Sequence, residues 1–328
     1  MKPQVAVSPA IVLSVEDLSI RYRLPSQQLL KPPASMTAVD RVSFKVRAGA
    51  TLGLVGESGS GKSSTARAVM ALERPSSGRV RLFDRDLATL SRGELKQLRQ
   101  SFQMIFQDPY GSLDPRYSIE RIIVEPIHGI ARSEARQRAA HALEEVGLRA
   151  DDLRKYPNQF SGGQRQRIAI ARALVTRPAL IVADEAVSAL DVSVQAQVLN
   201  LMKDLQAEHN MAYLFISHDL AVVRYLCEEI IVLFRGAIVE SGNTLEVLQS
   251  PAHPYTRELI DAMPRLGVRR RVARIVPGSP GGTPSAEVGL LQGGCPYRTR
   301  CARAAAVCQE APELRERGDG RQVACHFG

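Results

Sequence analysis

The chain has 328 residues and contains no run of about 18 consecutive apolar residues, so no segment reads as a membrane-spanning helix. A secretory leader is not expected: in MKPQVAVSPAIVLSVED, Pro9 and then Glu16-Asp17 break up any signal-like apolar core. Cysteine is scarce. Five residues are too few for a disulfide scaffold of this size, which points to the cytosol. There is no internal repeat and no sustained heptad series.

What is present is a 45% apolar composition, enough to bury a substantial core and to exclude a disordered or fibrous chain. The length suits about two ordinary domains. The net charge of +9 is unevenly spread. From Arg265 to Gly328, 11 arginines face five acidic residues, a net +6 that leaves only +3 for the remainder. Such a basic tail implies an anionic neighbour: nucleotide, nucleic acid or a lipid surface.

Residues 11–250 alternate β-rich runs (11–15, 52–55, 79–83, 180–183, 213–216, 229–234) with helical ones (62–72, 133–146, 161–175, 193–206, 220–226). This is the pattern of an α/β domain. Ser133 is the expected N-cap of its helix, and Arg235-Gly236 the expected turn of a hairpin. Residues 24–38 read as a loop between two early strands. Beyond Pro251 the texture changes to one short helix in HPYTRELIDAMP, then arginines, a PGSPGGTP loop and a cysteine-bearing tail.

The strongest motif is Gly56-Glu57-Ser58-Gly59-Ser60-Gly61-Lys62-Ser63, with Ser64 next, between the strand TLGLV and a helix. Its glycines let successive N–H groups face phosphate oxygens, and the helix start adds the positive end of its dipole. Lys62 offers a mobile charge to the β- and γ-phosphates, and Ser63 a hydroxyl to Mg²⁺. Downstream, the apolar run 179–183 ends in Asp184-Glu185. Asp184 suits the magnesium shell, and Glu185 a general base for water.

A second helix start, Phe160-Ser161-Gly162-Gly163-Gln164, joins a serine cap to two glycines. One phosphate loop already serves one nucleotide, so a second anion site implies a partner chain. Here the sequence resembles the ATP-binding subunits of ABC transporters, whose signature reads LSGGQ. The resemblance implies an α/β P-loop NTPase fold with a RecA-like core, an antiparallel β subdomain and an α-helical subdomain at about 108–175. It implies that Ser161 to Gln164 of one subunit close over ATP bound to another, in a head-to-tail dimer. Gln107 matches the Q-loop, which reaches toward Mg²⁺ and senses the membrane subunit. Asp191 matches the D-loop at the dimer seam, His218 the switch histidine at the γ-phosphate, and Tyr22 the aromatic stacked on adenine. Where the family commonly has proline after the catalytic glutamate, this chain has Ala186.

Four cysteines fall in the tail, Cys295, Cys301, Cys308 and Cys325, spaced C-x5-C-x6-C-x16-C, while Cys227 reads as a small buried residue in an apolar helix. Disulfides do not suit a cytosolic chain, and the C-x2-4-C pairs of zinc sites are absent. Four thiolates on longer loops suit an iron–sulfur cluster; zinc and free thiols stay open. With His253-Pro254-Tyr255-Thr256-Arg257, this tail resembles the C-terminal extension of the oligopeptide/dipeptide branch of ABC importers, whose members are reported to hold [4Fe-4S].

FQDPYGSLDPR and DVSVQAQVLNLM resemble the second of that branch's two ATPase subunits. Expected domains are therefore 11–250 for ATP binding and 251–328 for the cysteine-bearing extension. The implied setting is the cytoplasmic face of a bacterial inner membrane. The implied partners are two integral permease subunits, a related second ATPase and an extracytoplasmic solute-binding protein, with no nucleic acid. The branch also includes importers resembling those for nickel, glutathione, opines and oligosaccharides. A soluble ABC ATPase acting on nucleic acid would bring a coiled coil or two cassettes, and a P-loop kinase would leave FSGGQ unexplained.

Overall fold

The computed structural model describes residues 10–23, 35–263 and 293–328. Its strands are β1 (Ile11–Arg23), β2 (Ser35–Arg47), β3 (Thr51–Val55), β4 (Ser77–Leu82), β5 (Arg85–Asp86), β6 (Phe102–Ile105), β7 (Leu180–Asp184), β8 (Ala212–Ser217), β9 (Glu229–Phe234), β10 (Ala237–Asn243), β11 (Arg315–Glu316) and β12 (Gln322–Val323). Its helices are α1 (Lys62–Val69), α2 (Arg92–Leu98), α3 (Pro109–Ser112), α4 (Ile119–Val124), α5 (Arg132–Glu145), α6 (Gly162–Leu174), α7 (Val192–His209), α8 (Leu220–Leu226), α9 (Thr244–Gln249) and α10 (Pro254–Ala262). Among the described residues no helix is long and apolar enough to cross a membrane.

The large sheet runs β11-β12-β10-β9-β3-β8-β7-β6. It is parallel from β9 to β6 and turns antiparallel at β10. A parallel strand covered on both sides must be apolar throughout, and β7 illustrates this. Its Leu180 and Val182 enter one core, with Leu54, Ile216 and the antiparallel sheet β2-β1-β4-β5. Ile181 and Ala183 enter the other core, with Phe215, Ile230 and the helical segment built around α4, α5 and α6. Burying each such aliphatic side chain stabilises the fold by about 1.5–3 kcal/mol, so these sheet centres anchor the strand ends that carry the polar residues.

The hairpin turn forms at Arg235-Gly236, whose φ values of 46° and 85° are the paired positive angles that suit a tight hairpin. Three expectations shift. The helix expected from Ser133 starts at Arg132, after Ala131, which offers no side-chain cap; Glu134 faces the helix dipole instead. The helix after the phosphate loop ends at Val69, because Ala71 adopts φ 50° and the chain turns back onto the Arg67 carbonyl. Residues 35–38 lie in β2, while 24–34 and the PGSPGGTP loop are outside the described residues.

The extension is built into the large sheet. β12 pairs with β10 through Glu240↔Val323 and Ser241↔Gln322. Arg321, 6% exposed, donates to the Glu246 and Ser250 carbonyls and to Asp319, and lies 3.9 Å from the fully buried Glu240. Glu240 in turn accepts the N–H groups of Ala252 and His253, at 2.9 Å each, which fixes the chain entering α10.

Candidate nucleotide site

The glycines of the phosphate loop are required by its shape. Gly56, Gly59 and Gly61 have φ of 154°, 78° and 105°. A Cβ at Gly56 would lie 2.3 Å from the Leu233 carbonyl, and one at Gly61 would lie 2.4 Å from the Ala38 carbonyl, so β9 and β2 clamp the loop from outside. Lys62 is not a freely mobile charge. It is 6% exposed, and its ammonium donates to the carbonyls of Gly56 (2.7 Å) and Glu57 (2.9 Å).

Four adjacent parallel strands bring the remaining groups to their C-terminal ends, where ligands of such sheets sit. Gln107 follows β6, Asp184 closes β7 with Glu185 next, His218 follows β8, and the phosphate loop follows β3. The Gln107 amide donates to Glu185 Oε2 at 2.8 Å, and His218 Nδ1 lies 3.1 Å from Glu185 Oε1. Glu185 is held in the left-handed region, φ 47°, with its N–H on the Ile216 carbonyl. Its carboxylate thus faces the groups after β6 and β8 together.

The electrostatics fit a cation and a phosphate chain. Burial lowers the Lys62 pKa, while Glu185, Asp184 and Glu57 hold it up. Burial and then the Glu185 charge raise the Asp184 pKa, opposed by Lys62 and by the Ser63 hydroxyl bonded to Asp184. Two carboxylates beside one ammonium leave a buried carboxylate short of positive charge. With the Ser63 hydroxyl beside it, this is an all-oxygen donor set that suits Mg²⁺.

The signature segment stands apart: among the described residues, no hydrogen bond or ion pair joins Ser161–Gln164 to the phosphate loop. Ser161 caps α6, accepting from Gln164 N–H, while Gln164 Oε1 accepts from Ser161 N–H. The two glycines differ in purpose. A Cβ on Gly163 would lie 2.4 Å from Val194, whereas one on Gly162 would make only an ordinary contact with the Tyr110 hydroxyl at 3.6 Å. Asp191 caps α7, accepting from Val194 N–H and the Ser193 hydroxyl. The Tyr22 hydroxyl is shared between Ser64 of α1 (3.0 Å) and Glu73 (2.7 Å), which sets its ring beside the helix that follows the loop.

The extension supplies contacts that the motifs did not reveal. Arg300 makes a two-pronged contact with Glu57 (2.9 and 3.0 Å) and reaches Glu258 on α10 at 2.6 Å. Glu57 N–H donates to the hydroxyl of the fully buried Tyr255 at 2.9 Å. Tyr255 lies in the HPYTR run noted in the sequence, whereas the sequence signal for Arg300 was its position between two tail cysteines.

Of those cysteines, Cys295 and Cys308 are buried and joined by a backbone hydrogen bond, while Cys301 and Cys325 are half-buried. Burial raises the Cys295 thiol pKa, opposed by a backbone hydrogen bond, with the other three cysteines raising it further. Among the described residues no three cysteine sulfurs lie within 4.8 Å of one another. The sulfurs around a single tetrahedral zinc would be about 4 Å apart, so the tail as it stands forms no such site. Cys227 is buried, but it closes α8 as its C-cap and does not lie inside the helix.

A glycine cradle ahead of a helix, with paired carboxylates at the end of the next strand but one in the same parallel sheet, defines a P-loop nucleoside triphosphatase. Comparison with known proteins narrows this. Residues 39–188 match the ABC transporter family and residues 239–308 the oligopeptide/dipeptide transporter C-terminal region. The di/tripeptide transport ATP-binding protein DppF of Pseudomonas aeruginosa is 43% identical over 96% of this chain and 97% of its own length. The oligopeptide transport ATP-binding protein AppF of Bacillus subtilis is 41% identical over 98% of this chain and 99% of its own. A dimeric post-hydrolysis structure of the ATP-binding cassette MJ0796, bound to ADP and phosphate, superposes with a TM-score of 0.62. It is 27% identical, over 71% of this chain and 98% of that one. The chain belongs to the ATP-binding proteins of the ABC transporter family, and it hydrolyses ATP.

Proposed function

We propose that this chain energises an importer of peptides or related small solutes. The observation that carries the hydrolytic half is the meeting of Gln107 and His218 on the carboxylate of Glu185. The match at 239–308 and the peptide-transport names of its relatives support the cargo class.

In this reading Glu185 accepts the proton of the attacking water, while Gln107 and His218 fix its two oxygens. Lys62 and the N–H groups of residues 56–63 stabilise charge on the β- and γ-phosphates. Ser63 and Asp184, with Gln107 nearby, would hold Mg²⁺, which supplies positive charge to the same oxygens. Tyr22 stacks on the adenine. Ser161–Gln164 and Asp191 serve the nucleotide of a related second ATPase in a head-to-tail pair, so binding closes two shared sites and hydrolysis reopens them.

Two integral subunits dock near Gln107 and the segment 108–175, at the cytoplasmic membrane face, and an extracytoplasmic binding protein delivers the solute. Residues 11–250 form the ATPase unit and 251–328 its extension. The four tail thiols are proposed as the seat of an iron–sulfur cluster, a reading supported by their soft donor set and by the family resemblance. Uptake of labelled peptide into vesicles bearing the assembled transporter tests the main reading. ATP-dependent uptake that stops in Glu185→Gln supports it, and uptake without ATP refutes it. Anaerobically purified chain without iron or acid-labile sulfide would refute the cluster.

A further inference from the structure

We infer that Tyr255 and Arg300 of the C-terminal extension are positioning residues of the nucleotide site, acting through Glu57. The inference rests on the ATP-site reading above and extends it to residues outside the nucleotide motifs. Glu57 is the second residue of the phosphate loop, and the extension holds it at two places. Its carboxylate is gripped by both terminal nitrogens of Arg300, and its N–H by the Tyr255 hydroxyl.

The two anchors are themselves joined. Arg300 also bonds Glu258, on the same helix as Tyr255, and Glu258 accepts from the Tyr297 hydroxyl. Tyr255 is fully buried, and its ring packs against Phe234 and Tyr297 with centroids 4.5 and 5.7 Å away. The anchor side is therefore rigid. On the loop side, the carbonyl of Glu57 and that of Gly56 hold the Lys62 ammonium. A continuous chain of contacts runs from the cysteine-bearing tail through Glu57 to the lysine that meets the phosphates.

A second observation points the same way. Leu259 and Met263, in and just after α10, share a cavity with Gly56, at the base of the loop, and with His218. The extension thus borders both the phosphate loop and the switch histidine. Exposed ion pairs contribute little to stability on their own. A two-pronged guanidinium contact fixes orientation as well as charge, and here it fixes the peptide that carries the lysine's acceptor. Loosening it adds an ordering cost to every nucleotide bound, while Lys62, Gln107, Glu185 and His218 keep their chemistry. The signature of such a loss is a higher KM with kcat retained.

The test uses the full-length chain for ATP affinity and the assembled transporter for turnover. Tyr255→Phe keeps the buried ring and removes the hydroxyl; Arg300→Gln removes the fork, and Arg300→Lys keeps the charge without it. Each should weaken ATP affinity and raise KM by about fivefold or more, with kcat within about twofold of the parent. Adding Glu57→Gln to Arg300→Gln should cause no further loss, because the pair acts as one unit. A purely structural staple would lower the melting temperature of Tyr255→Phe and Arg300→Lys and leave KM unchanged, and that result overturns the inference. Lys62→Ala separates the two claims. If it abolishes hydrolysis while the extension variants bind ATP normally, the inference fails and the ATP site stands; if it hydrolyses at the parent rate, both fail.

Discussion

Glu185→Gln isolates the proton-accepting step. The replacement amide matches the carboxylate in size, so its oxygen can still accept from Gln107 and its nitrogen can face His218 Nδ1, now 2.8 and 3.1 Å from the two carboxylate oxygens. What disappears is a charged proton acceptor. General-base assistance is worth about 10²–10⁴ in rate, or about 2.7–5.4 kcal/mol of barrier. Nucleotide affinity should be kept, because the variant removes a negative charge beside Lys62 without disturbing the carbonyls that hold its ammonium. Phosphate release by the assembled transporter and ATP binding by the full chain should therefore separate. Hydrolysis falls at least about a hundredfold and binding persists. Turnover at the parent rate would remove Glu185 from the base role, and lost binding would show that the carboxylate props up the loop.

Ala186 is buried behind Glu185, and Ala186→Pro should stiffen that turn without adding a reactive group. ATP hydrolysis should change by no more than about threefold, and a gain of about tenfold or more would contradict this. Burial holds His253 at about 4, below its ordinary 6.5, so the folded protein keeps it neutral while the unfolded chain takes up a proton. That stability is present above pH 6.5 and is lost as pH falls toward 4, by about 3 kcal/mol at most. His253→Asn preserves a capping acceptor for α10 and should melt with a shallower dependence between pH 7 and 5; equal slopes would count against the assignment. Arg321→Ala strips partners from two carbonyls and leaves Glu240 buried without its cation, which should cost about 3 kcal/mol. An unchanged thermal melt would refute the idea that Arg321 secures the extension.

The residue types of the site were readable in the sequence because phosphate chemistry demands them at short spacing. Gly56 to Ser63, Asp184-Glu185 and His218 each sit at a strand end that an apolar run announces. By contrast, β6, ahead of Gln107, was not among the expected strands, and Gln107 and His218 entered as site residues only through the family resemblance. Their convergence was not readable from composition or spacing, since it follows from the strand order β3-β8-β7-β6. Gly163 looked like a phosphate ligand, yet its hydrogen is also required by Val194, a neighbour visible only in three dimensions. The grip of Arg300 on Glu57 spans 243 residues, and no local pattern encodes a pairing at that distance. Similarly, residues 35–38 read as the end of a proline-bearing loop, but pairing with β1 draws them into a strand.

In the proposed head-to-tail pair each triphosphate is held between two chains, one giving Gly56–Ser63 and the other Ser161–Gln164. The most direct measurement is a cryo-EM structure of the ATP-loaded transporter carrying Glu185→Gln. Ser161 is expected against the terminal phosphate bound in the partner ATPase's loop; Ser161 facing solvent, or the nucleotide of its own chain, would rule out the shared site.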